Sequence, residues 1–173
     1  MSRPATPVRH SIVVMGVAGC GKTVVGRAIA GRLGSTFADA DDLHSDANVT
    51  KMASGLALDD RDREEWLGLV GRWLAQHPDG SVMACSALRR RYRDTVRDEA
   101  PDTVFVHLQV DPDVVEARVN ARSEHFMPAS LIASQFQALE PLEVDETGVI
   151  IEADRELEDI VDDVLRAIGY ARR

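Results

Sequence analysis

Eight consecutive residues, Gly16-Val17-Ala18-Gly19-Cys20-Gly21-Lys22-Thr23, have the types and spacing to hold a chain of phosphates. They satisfy the pattern G-x-x-x-x-G-K-[S/T] without a gap. Glycines let the backbone turn back with its N–H groups facing inward. Those donors, set at the start of a helix, make an anion site. The lysine bridges terminal phosphates, and the hydroxyl of the last residue ligates Mg²⁺. Lys22 is therefore the candidate catalytic cation and Thr23 the candidate metal ligand. The flanks support this reading. Ile12 to Met15 is a buried-strand pattern directly before the loop, and Val24, Val25, Ala28, Ile29 and Leu33 recur at helical spacing directly after it. A chance glycine-rich turn would need neither.

A phosphate loop alone does not separate a kinase from a GTPase or a motor ATPase. The chain has no NKxD-like base reader, and its third strand pattern ends Ala84-Cys85-Ser86 without an acid. The acids follow the second strand instead, at Asp39, Asp41 and Asp42. Ligands gather at strand C-termini in such sheets, so a carboxylate there can orient or deprotonate an acceptor hydroxyl. The plain alternative for this run is a helix cap or a solvated turn. Arg89, Arg90, Arg91 and Arg93 follow the third strand and can anchor an anion, with one or two facing the cleft and the rest facing water. Arg118 and Arg122, four apart on one helix, can close over a nucleotide, or pair with nearby acids such as Glu116 or Glu124. The charges between Asp41 and Gly80, including His44, Lys51, Asp59 to Arg63, read on composition as a solvated helix start. Cys20 reads as a small loop residue.

Strand and helix patterns alternate five times along 173 residues, which predicts one parallel sheet covered on both faces. The expected strands are 12–15, 36–39, 81–85, 103–110 and 149–152. The expected helices are 22–33, 47–54, 59–76, 87–99, 112–122, 128–138 and 157–168. The whole chain, 1–173, reads as a single domain. An insertion spans about 41–80 and a flap about 122–129. Residues 1–9 read as a loose tail. A net charge of -9 and a pI near 5.0 argue against a nucleic-acid partner or an anionic membrane surface. Two cysteines make no disulfide framework, and no signal peptide or spanning segment is evident, so the cytoplasm is the expected location.

The segments MGVAGCGKT (15–23), DADDLH (39–44), NVTKMASGLALDDRDREEWL (48–67), ACSALRRRYRD (84–94) and HFMPASLIASQFQALEPLE (125–143) resemble the gluconokinases, a branch of the P-loop small-molecule kinases. The resemblance runs from Val13 to about Ile168. The first segment is common to many kinases, whereas the KMASG, CSAL and HFMP pieces are more specific. It implies a nucleoside-monophosphate-kinase-like three-layer α/β fold with a five-stranded parallel sheet, a substrate-binding helical insertion and a lid. It implies ATP as co-substrate, Mg²⁺, and transfer to the 6-hydroxyl of D-gluconate; dimers follow by analogy only. By matched position, Gly16 to Thr23 would hold the phosphates and metal. Asp41 would sit at the acceptor hydroxyl, as a second candidate metal ligand. Arg63 would meet the substrate carboxylate, with His44, Lys51, Ser86 and Arg89 as further substrate contacts. Arg118 and Arg122 would be lid arginines, Arg122 also catalytic, and Asp154 and Arg155 would edge the adenine pocket. Small departures from the family are Glu124 before HF, Ala18, Cys20 and Thr23 in the loop, and arginine rather than lysine at 89 and 90. A kinase for another hydroxy acid such as shikimate, or a non-catalytic nucleotide-binding regulator, remain the alternatives.

Overall fold

The computed structural model describes residues 10–122 and 129–170. The expected flap at 122–129 therefore lies outside the described residues except at its two ends, as do the expected tail and the expected helix start at Pro128. In chain order the elements are β1 (Ser11–Met15), α1 (Lys22–Leu33), β2 (Thr36–Asp39), a 3₁₀ turn (Ala40–Leu43), α2 (Asp46–Ala53), α3 (Asp60–Ala75), β3 (Ser81–Ala84), α4 (Arg90–Glu99), β4 (Val104–Gln109), α5 (Pro112–Ala121), α6 (Ala129–Ala138), β5 (Gly148–Glu152) and α7 (Leu157–Ala167).

The strands form one parallel sheet in the order β2-β3-β1-β4-β5. The apolar runs have a direct cause: helices cover both faces, so alternate residues of a strand enter different cores. Ile12, Val14, Val82, Val106 and Leu108 pack against α1, α5 and α7 through Ile29, Val115 and Val164. Val13, Met15, Met83 and Phe105 face the other way, onto Trp66, Leu67, Val70 and Leu74 of α3 and Val96 of α4. The register places Asp39 opposite Ala84, and Ala84 opposite Val14. The tips of β2, β3 and β1 are thus level, and the acids, Ser86 and the glycine loop emerge side by side.

The parallel α/β fold is the one expected. One helix differs: the basic helix begins at Arg90, not at Ala87. Ala87 has φ 42, a left-handed conformation that no α-helix continues, and Arg89 is an extended N-cap. Among the described residues no helix is long and apolar enough to cross a membrane.

Candidate active site

The glycine loop folds as its composition requires. Gly16 has φ 146, and a Cβ there would lie 2.7 Å from Cys20 Sγ and 3.0 Å from the Leu108 carbonyl oxygen. Gly19 has φ 80, and its Cβ would meet Val119 Cγ2 at 2.8 Å. Side chains are excluded at both positions. Within the loop the Cys20 N–H donates to the Val17 carbonyl (3.2 Å), and the Ala18 N–H donates to Gln135 Oε1 (2.6 Å). The N–H groups of Gly19, Gly21 and Thr23 have no acceptor among the described residues, and the Lys22 N–H points to the Cys20 thiol. Three free donors at the N-terminus of α1 make an anion site. Lys22 Nζ rests 3.0 Å from the Val17 carbonyl oxygen, at the rim of this cradle. Burial raises the Cys20 thiol above its ordinary value and pushes Cys85 up to about 12, so neither is poised as a nucleophile.

Beside the cradle, the Thr23 hydroxyl donates to Asp39 Oδ2 at 3.1 Å. Asp39 Oδ1 accepts the Asp41 N–H at 3.0 Å, which caps the 3₁₀ turn. Asp39 thus joins the Thr23 hydroxyl to the Asp41 backbone. From sequence it is one acid of three, and its place as the last residue of β2 is the signal that sets it apart. Asp41 Oδ1 lies 4.0 Å from His44 Nε2. Burial, and then the neighbouring Asp39, raise the Asp41 carboxyl above its ordinary value, opposed by His44 and Lys22. Its side chain is nevertheless 85% exposed. Water screens the group in the open cleft, so the full effect of burial requires ligands to displace that water.

His44 stacks on Trp66, with ring centroids 4.2 Å apart, and Trp66 Nε1 donates to the Ala40 carbonyl at 2.7 Å. Burial lowers the His44 pKa despite Asp41, so it is neutral at physiological pH. Trp66, unassigned from sequence, ties α3 to the 3₁₀ turn. Arg63 precedes Trp66 by three and Leu67 by four, on the same side of α3. Its guanidinium is half-buried and has no ion-pair or hydrogen-bond partner among the described residues. Lys51 is differently placed. It holds Asp59 (3.3 Å) and Asp62 (2.5 Å), the two residues of the α3 capping box, and so fastens α2 to α3.

The arginine run divides contrary to expectation. Arg90 binds Asp94, Glu143 and Asp145, and Arg91 binds Asp60. Arg93 faces the core rather than water, fully buried against Glu146. Arg89 alone of the four has no side-chain partner among the described residues. Ser86 accepts the Gly16 N–H through its carbonyl at 3.3 Å, which links β3's tip to the glycine loop.

On the opposite side of the loop, Gly19, Gly21, Arg118, Arg122, Ala153 and Arg155 surround a depression of about 180 Å³. Arg118 donates to the Ala153 carbonyl (3.0 Å) and lies 3.6 Å from Asp154. Arg155 is paired with Asp163, and Arg122 is exposed. A larger cavity of about 530 Å³ lies beside α6, at the C-terminal ends of β4 and β5. Of the expected residues only Val17 and Asp154 line it, so the chemistry is assigned to the cleft with the free amides.

A parallel sheet in this order, with a G-x-x-x-x-G-K-T cradle at the tip of β1 and an acid at the tip of β2, defines a P-loop small-molecule kinase. The family model for shikimate kinase matches residues 18–168. The thermoresistant gluconokinase of Escherichia coli K12 is 38% identical over 163 residues, covering 92% of this chain and 93% of the relative. The gluconokinase of Gluconobacter oxydans is 39% identical over 158 residues, covering 90% and 89%. A solved gluconokinase from Sinorhizobium meliloti superposes with a TM-score of 0.85 at 39% identity, over 95% of this chain and 94% of that one. The chain belongs to the gluconokinase family, whose members are ATP-dependent kinases.

Proposed function

We propose that the protein transfers the γ-phosphoryl group of ATP to the 6-hydroxyl of D-gluconate, giving 6-phospho-D-gluconate and ADP. The observation that carries the phosphoryl-transfer reading is the juxtaposition of three unpaired loop amides with Lys22 on one side and the Thr23–Asp39–Asp41 chain on the other. The names of the relatives supply gluconate.

The loop amides and Lys22 bind and orient the phosphates. The Thr23 hydroxyl and Asp39 carboxylate are hard oxygen donors suited to Mg²⁺, which keeps waters and shares phosphate oxygens. Mg²⁺, when bound, neutralises charge on the transferring group. Asp41 accepts or orients the proton of the acceptor hydroxyl. Arg63, the unpartnered guanidinium on the acceptor side, matches a carboxylate in charge and fork geometry. His44, Ser86 and Arg89 border the same side. The Lys51 ammonium is already committed to two carboxylates, which leaves Arg63 the stronger substrate contact. Arg118 and Arg122 serve the nucleotide side, with Asp154 and Arg155 at its edge. The reading includes a lid near 122–129 and action in the cytoplasm.

An ADP-release assay across gluconate, shikimate and simple sugars tests the substrate. Turnover with gluconate is expected, and its absence beside turnover of another acid overturns the assignment. The shikimate kinase model match makes shikimate the acceptor to include. Asp41→Asn is expected to retain ATP binding and lose about 10²-fold or more in kcat. Unchanged turnover removes Asp41 from the chemistry.

A further inference from the structure

Helix α6 places one polar side chain on the phosphate loop, and none of the roles above uses it. Gln135 Oε1 accepts the Ala18 N–H at 2.6 Å across 117 residues of sequence. That is shorter than the ~2.9 Å common for such bonds. The position is imposed by packing. Ile132, Phe136 and Leu139 recur at helical spacing and attach α6 to the core, which sets Gln135 beside them over the loop. Only the oxygen of a carboxamide can meet a backbone N–H, so the Ala18 contact fixes which end is which. The Nε2 end then has no acceptor among the described residues. Ala18 adjoins Val17, whose carbonyl oxygen holds Lys22 Nζ at 3.0 Å. Gln135 therefore acts at the terminal-phosphate end of the cradle.

We propose that Gln135 is a positioning residue for phosphoryl transfer. It holds the Ala18 N–H out of the phosphate site, leaving the free amides of Gly19, Gly21 and Thr23 to bind the nucleotide, and it turns a donor rather than an acceptor toward the terminal phosphoryl group. This rests on the phosphoryl-transfer reading but not on gluconate as the acceptor.

Gln135→Glu separates the two halves of the role. Its carboxylate can still accept the Ala18 N–H, yet it puts negative charge beside the terminal phosphate. Gln135→Ala removes both. Each variant is measured for melting temperature, for kcat and KM, and for the additional melting shift given by Mg²⁺ with a non-hydrolysable ATP analogue over Mg²⁺ with ADP. That difference isolates the terminal phosphate without any acceptor, so it stays informative even if gluconate is not turned over. The expected result is that Gln135→Glu melts within about 2 °C of the wild type, loses at least about ten-fold in kcat, and loses most of the difference between the two nucleotides. Gln135→Ala is expected to lose kcat with the KM for the acceptor unchanged. If both variants keep kcat and the nucleotide difference within two-fold of wild type, the proposal is overturned.

Discussion

Glu146 tests how far the site depends on a buried ion pair. Its side chain has no solvent exposure. Oε1 accepts from Arg93 Nε (2.7 Å) and Arg97 Nη1 (2.9 Å), and Oε2 accepts from Arg93 Nη2 (2.9 Å) and the Glu143 N–H (2.9 Å). Arg93 is equally buried, and its remaining donors reach the carbonyls of Ala87 (3.1 Å), Leu88 (3.3 Å) and Pro141 (3.3 Å). Glu146→Ala leaves one guanidinium fully buried and another mostly so, without their counter-charge. Breaking a buried pair from one side costs about 3–5 kcal/mol. At this chain length each kcal/mol is worth about 2–4 °C, so the midpoint of thermal unfolding should fall by roughly 6–20 °C. The pH dependence has a definite sign. Burial opposes ionisation of Glu146, but the hydrogen bonds from Arg93, the Glu143 N–H and Arg97 outweigh it and bring the pKa from 4.5 down to about 2. A depressed carboxyl stabilises fully above its unfolded value, so this contribution is present above 4.5 and is lost as the pH falls through about 2. Glu146→Gln has no such acid limb. The site should respond as well, because Arg93 holds the carbonyl of Ala87, whose φ of 42 costs about 1–2 kcal/mol in a non-glycine residue. Thermal melts between pH 2 and 7, with kcat measured well below the midpoint, provide the check. A Glu146→Ala midpoint within about 2 °C of wild type would refute the reasoning.

Arg63→Ala should raise the KM for a carboxylate-bearing acceptor by about 10- to 150-fold, the loss of roughly 1.5–3 kcal/mol from a charge-assisted contact, with the KM for ATP unchanged. Equal acceptor KM values in initial-rate assays would place the carboxylate elsewhere. Asp39→Asn should raise the Mg²⁺ concentration needed for half-maximal rate while leaving the melting temperature within about 2 °C, because Asp39 is a half-buried strand tip. A metal titration unmoved by the substitution would dissociate Asp39 from the ion.

The glycine loop is legible because its signal is local. A buried strand, three loop glycines, a lysine and a helical pattern lie within 22 residues, and each is required by the same turn. The arginine run was not legible as charge alone. Arg93 precedes Val96 by three and Ala100 by seven, so it lies on the core face of α4, and that periodicity was the available clue. Its partner Glu146 stands 53 positions away, where local sequence cannot point. The same distance problem hid Gln135, which meets Ala18 through tertiary packing. The pairing of Lys51 with the Asp59–Asp62 capping box is not legible from composition, because it needs α2 and α3 folded against each other. The start of α4 was misplaced because Ala87, a good helix former, is forced left-handed by contacts to its carbonyl that propensity ignores.

Two segments that distinguish this family prove to be halves of one frame. Leu88 and Arg90 meet Glu140 through the Glu140 N–H (2.7 Å to the Leu88 carbonyl) and Oε2 (2.6 Å from the Arg90 N–H). The Arg90 guanidinium spans Glu143 and Asp145, and Arg93 reaches Pro141 and Glu146. The turn after β3 and the connection from α6 to β5 are therefore fixed to each other. The first also holds the glycine loop through the Ser86 carbonyl on the Gly16 N–H, and α6, which leads into the second, holds it through Gln135 on the Ala18 N–H. Phosphoryl transfer depends on positioning more than on covalent chemistry, and small misplacements are costly. A buried arginine–glutamate pair is weak evidence of stability as such. Its use here is geometric: it joins the turn after β3 to the segment that follows α6, the helix that meets the glycine loop, so a change far from that loop should lower kcat before it alters the binding of either substrate.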